Sequence, residues 1–131
     1  MFPVIMEERA DTLTAYHNGK PIFTSNSGWL HPIFELEEYL SKHTYDTADI
    51  HVEDTIIGKA AAILLCRMGI PSVDAGLLSR LGEQVFKSHG VHYTGDKIVS
   101  RISCETEDVL AQIDDFEEAY AILKERAAPH S

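Results

Sequence analysis

Several small groupings in this chain carry side chains that could do chemistry. His51-Val52-Glu53 sets an imidazole and a carboxylate two residues apart. In that spacing a histidine can bind zinc while a glutamate shuttles protons to and from the metal-bound water. The same chemistry needs two cysteinates from a Pro-Cys-x-x-Cys at the start of the next helix. Residues 75–80 read Ala-Gly-Leu-Leu-Ser-Arg and hold no sulfur. A catalytic zinc takes three protein ligands and a water, and two of the three are missing. The sequence therefore specifies no metal and no cofactor, and His51 reads as an ordinary histidine at a strand end.

Gly58-Lys59 invites comparison with a phosphate loop. That loop needs a glycine five residues earlier and Ser or Thr directly after; Glu53 and Ala60 stand there instead. What survives is a helix N-terminus beside a flexible cation, which can hold an anionic group. The alternative is that Gly58 permits close helix–sheet packing while Lys59 snorkels to solvent. Asp54 reads as a helix N-cap, accepting from free backbone N–H groups of a first turn. Arg101 presents a planar fork suited to phosphate or carboxylate, or to an ion pair with nearby acids. Cys104 and Glu107 are the candidate catalytic pair, a thiol with a proton acceptor three residues on. A reactive thiolate needs electropositive surroundings, and Glu105, Glu107 and Asp108 supply the opposite. Cys66 lies in an apolar stretch and reads as packing.

The element expected to position these groups is a central helix over residues 53–69. Ile56, Ile57, Ala60, Ile63, Leu64 and Met68 cover more than one side of it, leaving Thr55, Lys59, Ala62 and Cys66 as a narrower polar stripe. Gly69 closes it in a left-handed conformation. Upstream, residues 12–17 and 21–25 alternate like strands around Asn18-Gly19, a hairpin turn signal. A polar loop over 25–28 leads through Trp29 to a helix with Pro32 in its first turn and Ile33, Leu36 and Leu40 on one face. Ile50-His51-Val52 is a short extended segment feeding the central helix. Downstream, 72–78 reads as a buried strand, and Ser79 caps a helix with Leu81, Val85 and Phe86 inward. Residues 91–94 are strand-like, Gly95-Asp96 turns, and 97–102 is extended. Asp114 or Asp115 caps a last helix carrying Phe116, Ala119, Tyr120, Leu123 and Ala127, stopped by Pro129.

At 131 residues the chain is one domain, 1–131, with neither linker nor repeat. Strands alternating with helices after a hairpin predict a mixed sheet with helices on both faces. A formal net charge of −10 argues against nucleic-acid or anionic-membrane binding. No apolar stretch approaches the roughly 20 residues that span a bilayer, and residues 1–9 carry no basic leader or cleavage site. Two cysteines without a CxxC fit a reducing compartment, so the expected location is the cytoplasm.

Residues 54–62, Asp-Thr-Ile-Ile-Gly-Lys-Ala-Ala-Ala, resemble the signature of a small bacterial family of unknown function with a cytidine-deaminase-like fold. Gly28 and Pro32 match a glycine and a proline before that family's first helix. Arg101, Cys104 and Glu107 match an Arg followed by Cys-x-x-Glu, although Ser100 replaces an expected Asn, Glu105 replaces a Pro, and the spacing is shorter. The resemblance implies a three-layer α/β/α sandwich with a mixed sheet, without the deaminase zinc ligands and without an assigned activity. On this reading the chain binds a nucleotide-sized anionic ligand at the N-terminus of the central helix, among Asp54, Gly58, Lys59, Arg101 and Trp29. The competing readings are a zinc-independent enzyme using Cys104 or Lys59 as nucleophile, and a structural or homo-oligomerisation module.

Overall fold

The computed structural model describes residues 12–27, 30–100, 109–110 and 112–127. Strands β1 (Leu13–His17) and β2 (Lys20–Ser25) run antiparallel, joined by Asn18 at φ 51° and Gly19 at φ 83°. Both angles are the left-handed ones that a two-residue type I′ turn requires. Helix α1 (His31–Ser41) follows, with Pro32, Ile33 and Leu36 buried. Tyr39 holds it to the hairpin, its ring 5.4 Å from that of Phe23.

The next stretch departs from the sequence reading. Strand β3 runs Ile50–Ile57, and helix α2 occupies only Lys59–Arg67. The helix expected over 53–69 thus begins six residues late, and Asp54 lies within β3 and not at the start of α2. Val52, Thr55, Ile56 and Ile57 are β-branched and lose rotamer freedom in a helix. A dense apolar run also satisfies either period, so neighbours decide. Here β3 is flanked on both sides: Asp54 stands opposite Leu13 of β1 and Ala75 of β4 (Ser72–Ser79). The far end of α2 is as expected. Gly69 takes φ 82°, its N–H donates to the Cys66 carbonyl, and the Ile70 N–H donates to that of Leu65. That is a Schellman closure.

The sheet has the order β2-β1-β3-β4-β5, with β5 at His92–Val99. β1 is antiparallel to both neighbours, whereas β3, β4 and β5 are parallel. Parallel neighbours need crossovers, which α2 and α3 (Arg80–Ser88) provide. Ser79 caps α3 by accepting from the Gly82 N–H at 3.0 Å. The turn expected at Gly95-Asp96 lies inside β5 instead. Gly95 serves a close approach there: a Cβ on it would sit 3.2 Å from Leu78 Cβ. Of the two aspartates before α4 (Phe116–Ala127), Asp115 does the capping, accepting from the Glu118 N–H at 3.3 Å. The result is an α/β domain with a mixed sheet.

Helix α2 is the hub. Every residue from Lys59 to Leu65 is buried, and the helix touches α1, α3 and α4. Its last residue, Arg67, ties three helices together. Nε and Nη2 donate to Glu117 at 3.0 and 3.2 Å, and Nη1 donates to Glu37 at 3.0 Å. The guanidinium lies 3.6 Å from the Tyr120 ring centroid, while the Tyr120 hydroxyl donates to Glu37. A forked, stacked arrangement of this kind suits Arg and not Lys. Among the described residues, no helix is long and apolar enough to cross a membrane.

Candidate functional site

The N-terminus of α2, the exposed side of α3 and the approach to α4 enclose a groove of about 420 Å³. Leu81, Gln84, Val85 and Ser88 recur at helical spacing, so α3 presents them on one side. Lys59 and Ile63, one turn apart on α2, face them, and His89, Asp114 and Phe116 close the end. Ile63, Leu81, Val85 and the Phe116 ring make an apolar flank; Lys59, Gln84, Ser88 and His89 supply polar groups. The His89 ring is fixed, its Nδ1 3.0 Å from the Val85 carbonyl and its centroid 4.5 Å from that of Phe116. Lys59 is only 4% exposed, yet its Nζ donates at 3.1 Å to Asp114, whose side chain is 94% exposed. The lysine stem thus crosses the interior and delivers its charge to the rim. The volume falls within the roughly 300–1,000 Å³ usual for small-molecule sites.

Of the residues singled out from sequence, Lys59 is at this groove, but not on the polar stripe expected for it. Thr55, its supposed neighbour there, is on β3, where its hydroxyl donates to the Thr12 carbonyl at 3.2 Å. Asp54, expected at the pocket mouth, is a β3 residue that does not line the groove, because the helix starts after it. Gly58 precedes α2 in extended backbone (φ −104°, ψ −167°). A close approach occurs at another glycine, Gly82, on which a Cβ would lie 3.0 Å from the Gly58 carbonyl oxygen. Trp29, Gly28, Arg101, Cys104 and Glu107 lie outside the described residues. Sequence reasoning missed Gln84, Ser88, His89 and Asp114. The spacing 81-84-85-88 was a usable signal for α3; nothing local announced Asp114.

Comparison with known proteins matches residues 3–127 to the family described as "Domain of unknown function (DUF1893)". The chain belongs to this family. Among solved structures it is similar to the crystal structure of a DUF1893 family protein (TM1506) from Thermotoga maritima. The two are 26% identical with a TM-score of 0.78, over 95% of this chain and 86% of that one. No curated protein matches the chain. Membership in DUF1893 supplies a fold and no activity, so function has to be argued from the site.

One thiol of this DUF1893 chain can be set aside as a nucleophile. Cys66, near the end of α2, is a free cysteine whose pKa burial pushes up to about 11. The thiolate is the reactive form. Against a usual value of 9.0, a shift of that size leaves roughly one-hundredth of the thiolate at pH 8. Alkylation at pH 8, followed by peptide mapping, is expected to label Cys66 on the order of 100-fold more slowly in the folded chain than in urea. Equal rates would show that the thiol is not held in this environment.

Proposed function

We propose that this DUF1893 domain binds a nucleotide-sized anionic ligand in the groove between α2 and α3, with the Lys59 ammonium meeting the anion. The observation that carries the reading is the pairing of a buried lysine stem with an almost wholly exposed partner carboxylate. Asp114 can swing into solvent, because its own side chain is 94% exposed. An incoming phosphate can then take its place on Nζ. The N-terminus of α2 adds a favourable dipole for the same charge, and the apolar flank with Phe116 offers a surface for a flat or hydrophobic moiety. The finer architecture we infer is the three-layer, cytidine-deaminase-like sandwich implied by the resemblance at residues 54–62. The mixed order β2-β1-β3-β4-β5 is consistent with that sheet. Both right-handed crossovers step the same way and so place α2 and α3 on one face, which leaves the third layer resting on the resemblance.

A thermal-shift screen with nucleotides and sugar phosphates tests this, using the parent chain and Lys59→Met. A ligand at about 100 times its Kd stabilises the folded state by about 2.7 kcal/mol. At least one phosphate-bearing compound is expected to raise the parent's midpoint by several degrees, and less so in high salt. Lys59→Met is expected to lose that response. A variant that still responds fully, or a parent that responds to nothing in the screen, would defeat the assignment.

A further inference from the structure

On the sheet, away from the groove, β3 and β4 bring two carboxylates side by side. Glu53 and Asp74 are register partners on adjacent parallel strands, a placement in which like charges are unfavourable. Among the described residues, no Lys or Arg forms an ion pair with either; the group between them is His51, whose Nε2 lies 3.1 Å from Asp74 Oδ2. One donor atom from each of His51, Glu53 and Asp74 falls within 4.8 Å of the others. His51 and Glu53 share a face because strand side chains alternate, so the His-x-Glu that fails as the first half of a zinc signature completed by two cysteines converges here as part of a different set.

The surroundings are organised in the manner of ligands held from behind. The other nitrogen of His51, Nδ1, sits 2.6 Å from the Ser72 hydroxyl. The other Asp74 oxygen, Oδ1, accepts from Thr94 at 2.7 Å, and Glu53 accepts from the Tyr16 hydroxyl at 3.1 Å. Outer hydrogen bonds of this kind orient metal ligands and fix their open atoms. The His51 and Asp74 side chains are 32% and 44% exposed, so an ion could enter from solvent.

We propose that His51, Glu53 and Asp74 form a binding site for one divalent transition-metal ion on the face of the sheet. One imidazole and two carboxylates suit zinc, cobalt or manganese, whereas magnesium and calcium prefer oxygen alone. Three protein ligands leave a position open to water, and a bound ion relieves the repulsion between Glu53 and Asp74.

The test is titration of the metal-stripped chain with zinc by calorimetry and with cobalt by visible absorption. One ion per chain is expected, unaffected by an equal concentration of magnesium. His51→Ala, Glu53→Gln and Asp74→Asn should each weaken zinc binding at least tenfold. His43→Ala, on the exposed end of α1, should not, and it controls for adventitious binding among the seven histidines. Because Glu53→Gln is an isosteric change at an exposed residue, it tests the site even if His51→Ala fails to fold. No zinc binding by the parent, or binding that survives Glu53→Gln and Asp74→Asn unchanged, would overturn the proposal.

Discussion

Replacing Gly76 with alanine is expected to lower the stability of the folded chain by about 3 kcal/mol, the upper end of the usual overpacking range. A Cβ at this position in β4 would stand 2.7 Å from the Thr55 carbonyl oxygen. That oxygen belongs to β3, which is paired to β1 on one side and to β4 on the other. It cannot retreat without disturbing a ladder, so the strain has nowhere cheap to go. Gly82 offers a contrast. Its Cβ would meet Gly58 at 3.0 Å, but there alanine regains about 1 kcal/mol of helix propensity. At Gly95 the nearest atoms are side-chain atoms of Leu78 and Ile98, which have more freedom to adjust. For Gly76→Ala, urea denaturation should show a lower midpoint at an unchanged slope. The thermal midpoint should fall by on the order of 10 °C. A variant within about 0.5 kcal/mol of the parent would mean that β3 and β4 are not this close.

How much of this could be read from the sequence depended on whether the deciding interaction was local. Asn18-Gly19 announces its turn because two residues carry the whole conformational requirement, and Ser79 announces α3 because its cap bond reaches only to Gly82. The end of α2 was legible at Gly69 for the same reason. Its beginning was not. Thr55-Ile56-Ile57 fits a helix face or a buried strand equally well, and the choice falls to pairing with residues 21 positions away in β4. The helical wheel drawn through Thr55 and Lys59 was therefore fictitious, and with it the expectation of an exposed lysine. The groove was half legible: Lys59 was singled out beside a helix N-terminus, although that helix was begun six residues too early, and its contact with Asp114 spans 55 residues. The meeting of His51 and Glu53 with Asp74 likewise follows from a parallel register that no short stretch of sequence records.

Lys59 gives the clearest test of what the misplaced helix start concealed. Lys59→Ala is expected to cost about 2 kcal/mol, because it strips three buried methylene groups at about 0.8 kcal/mol each. Lys59→Met keeps a side chain of similar length and removes a charge that lies against the interior. It is expected to match the parent or exceed it, since replacing a buried ion by an apolar group of similar volume is often neutral or stabilising. Asp114→Asn keeps an amide oxygen that can accept from Nζ, and at a side chain 94% exposed water can screen the lost charge, so it should change stability by no more than about 1 kcal/mol. The predicted order is thus Met equal to or above the parent, Asn close to the parent, and Ala well below, read from urea midpoints at low and high salt. Salt should leave the difference between Ala and Met unchanged, because that difference is packing rather than charge. A Met variant as unstable as the Ala variant would show that the ammonium itself holds the fold together. The lysine would then be a structural tie between α2 and the approach to α4, and the stability of its charge, not its availability to an anion, would explain why a cation is buried there.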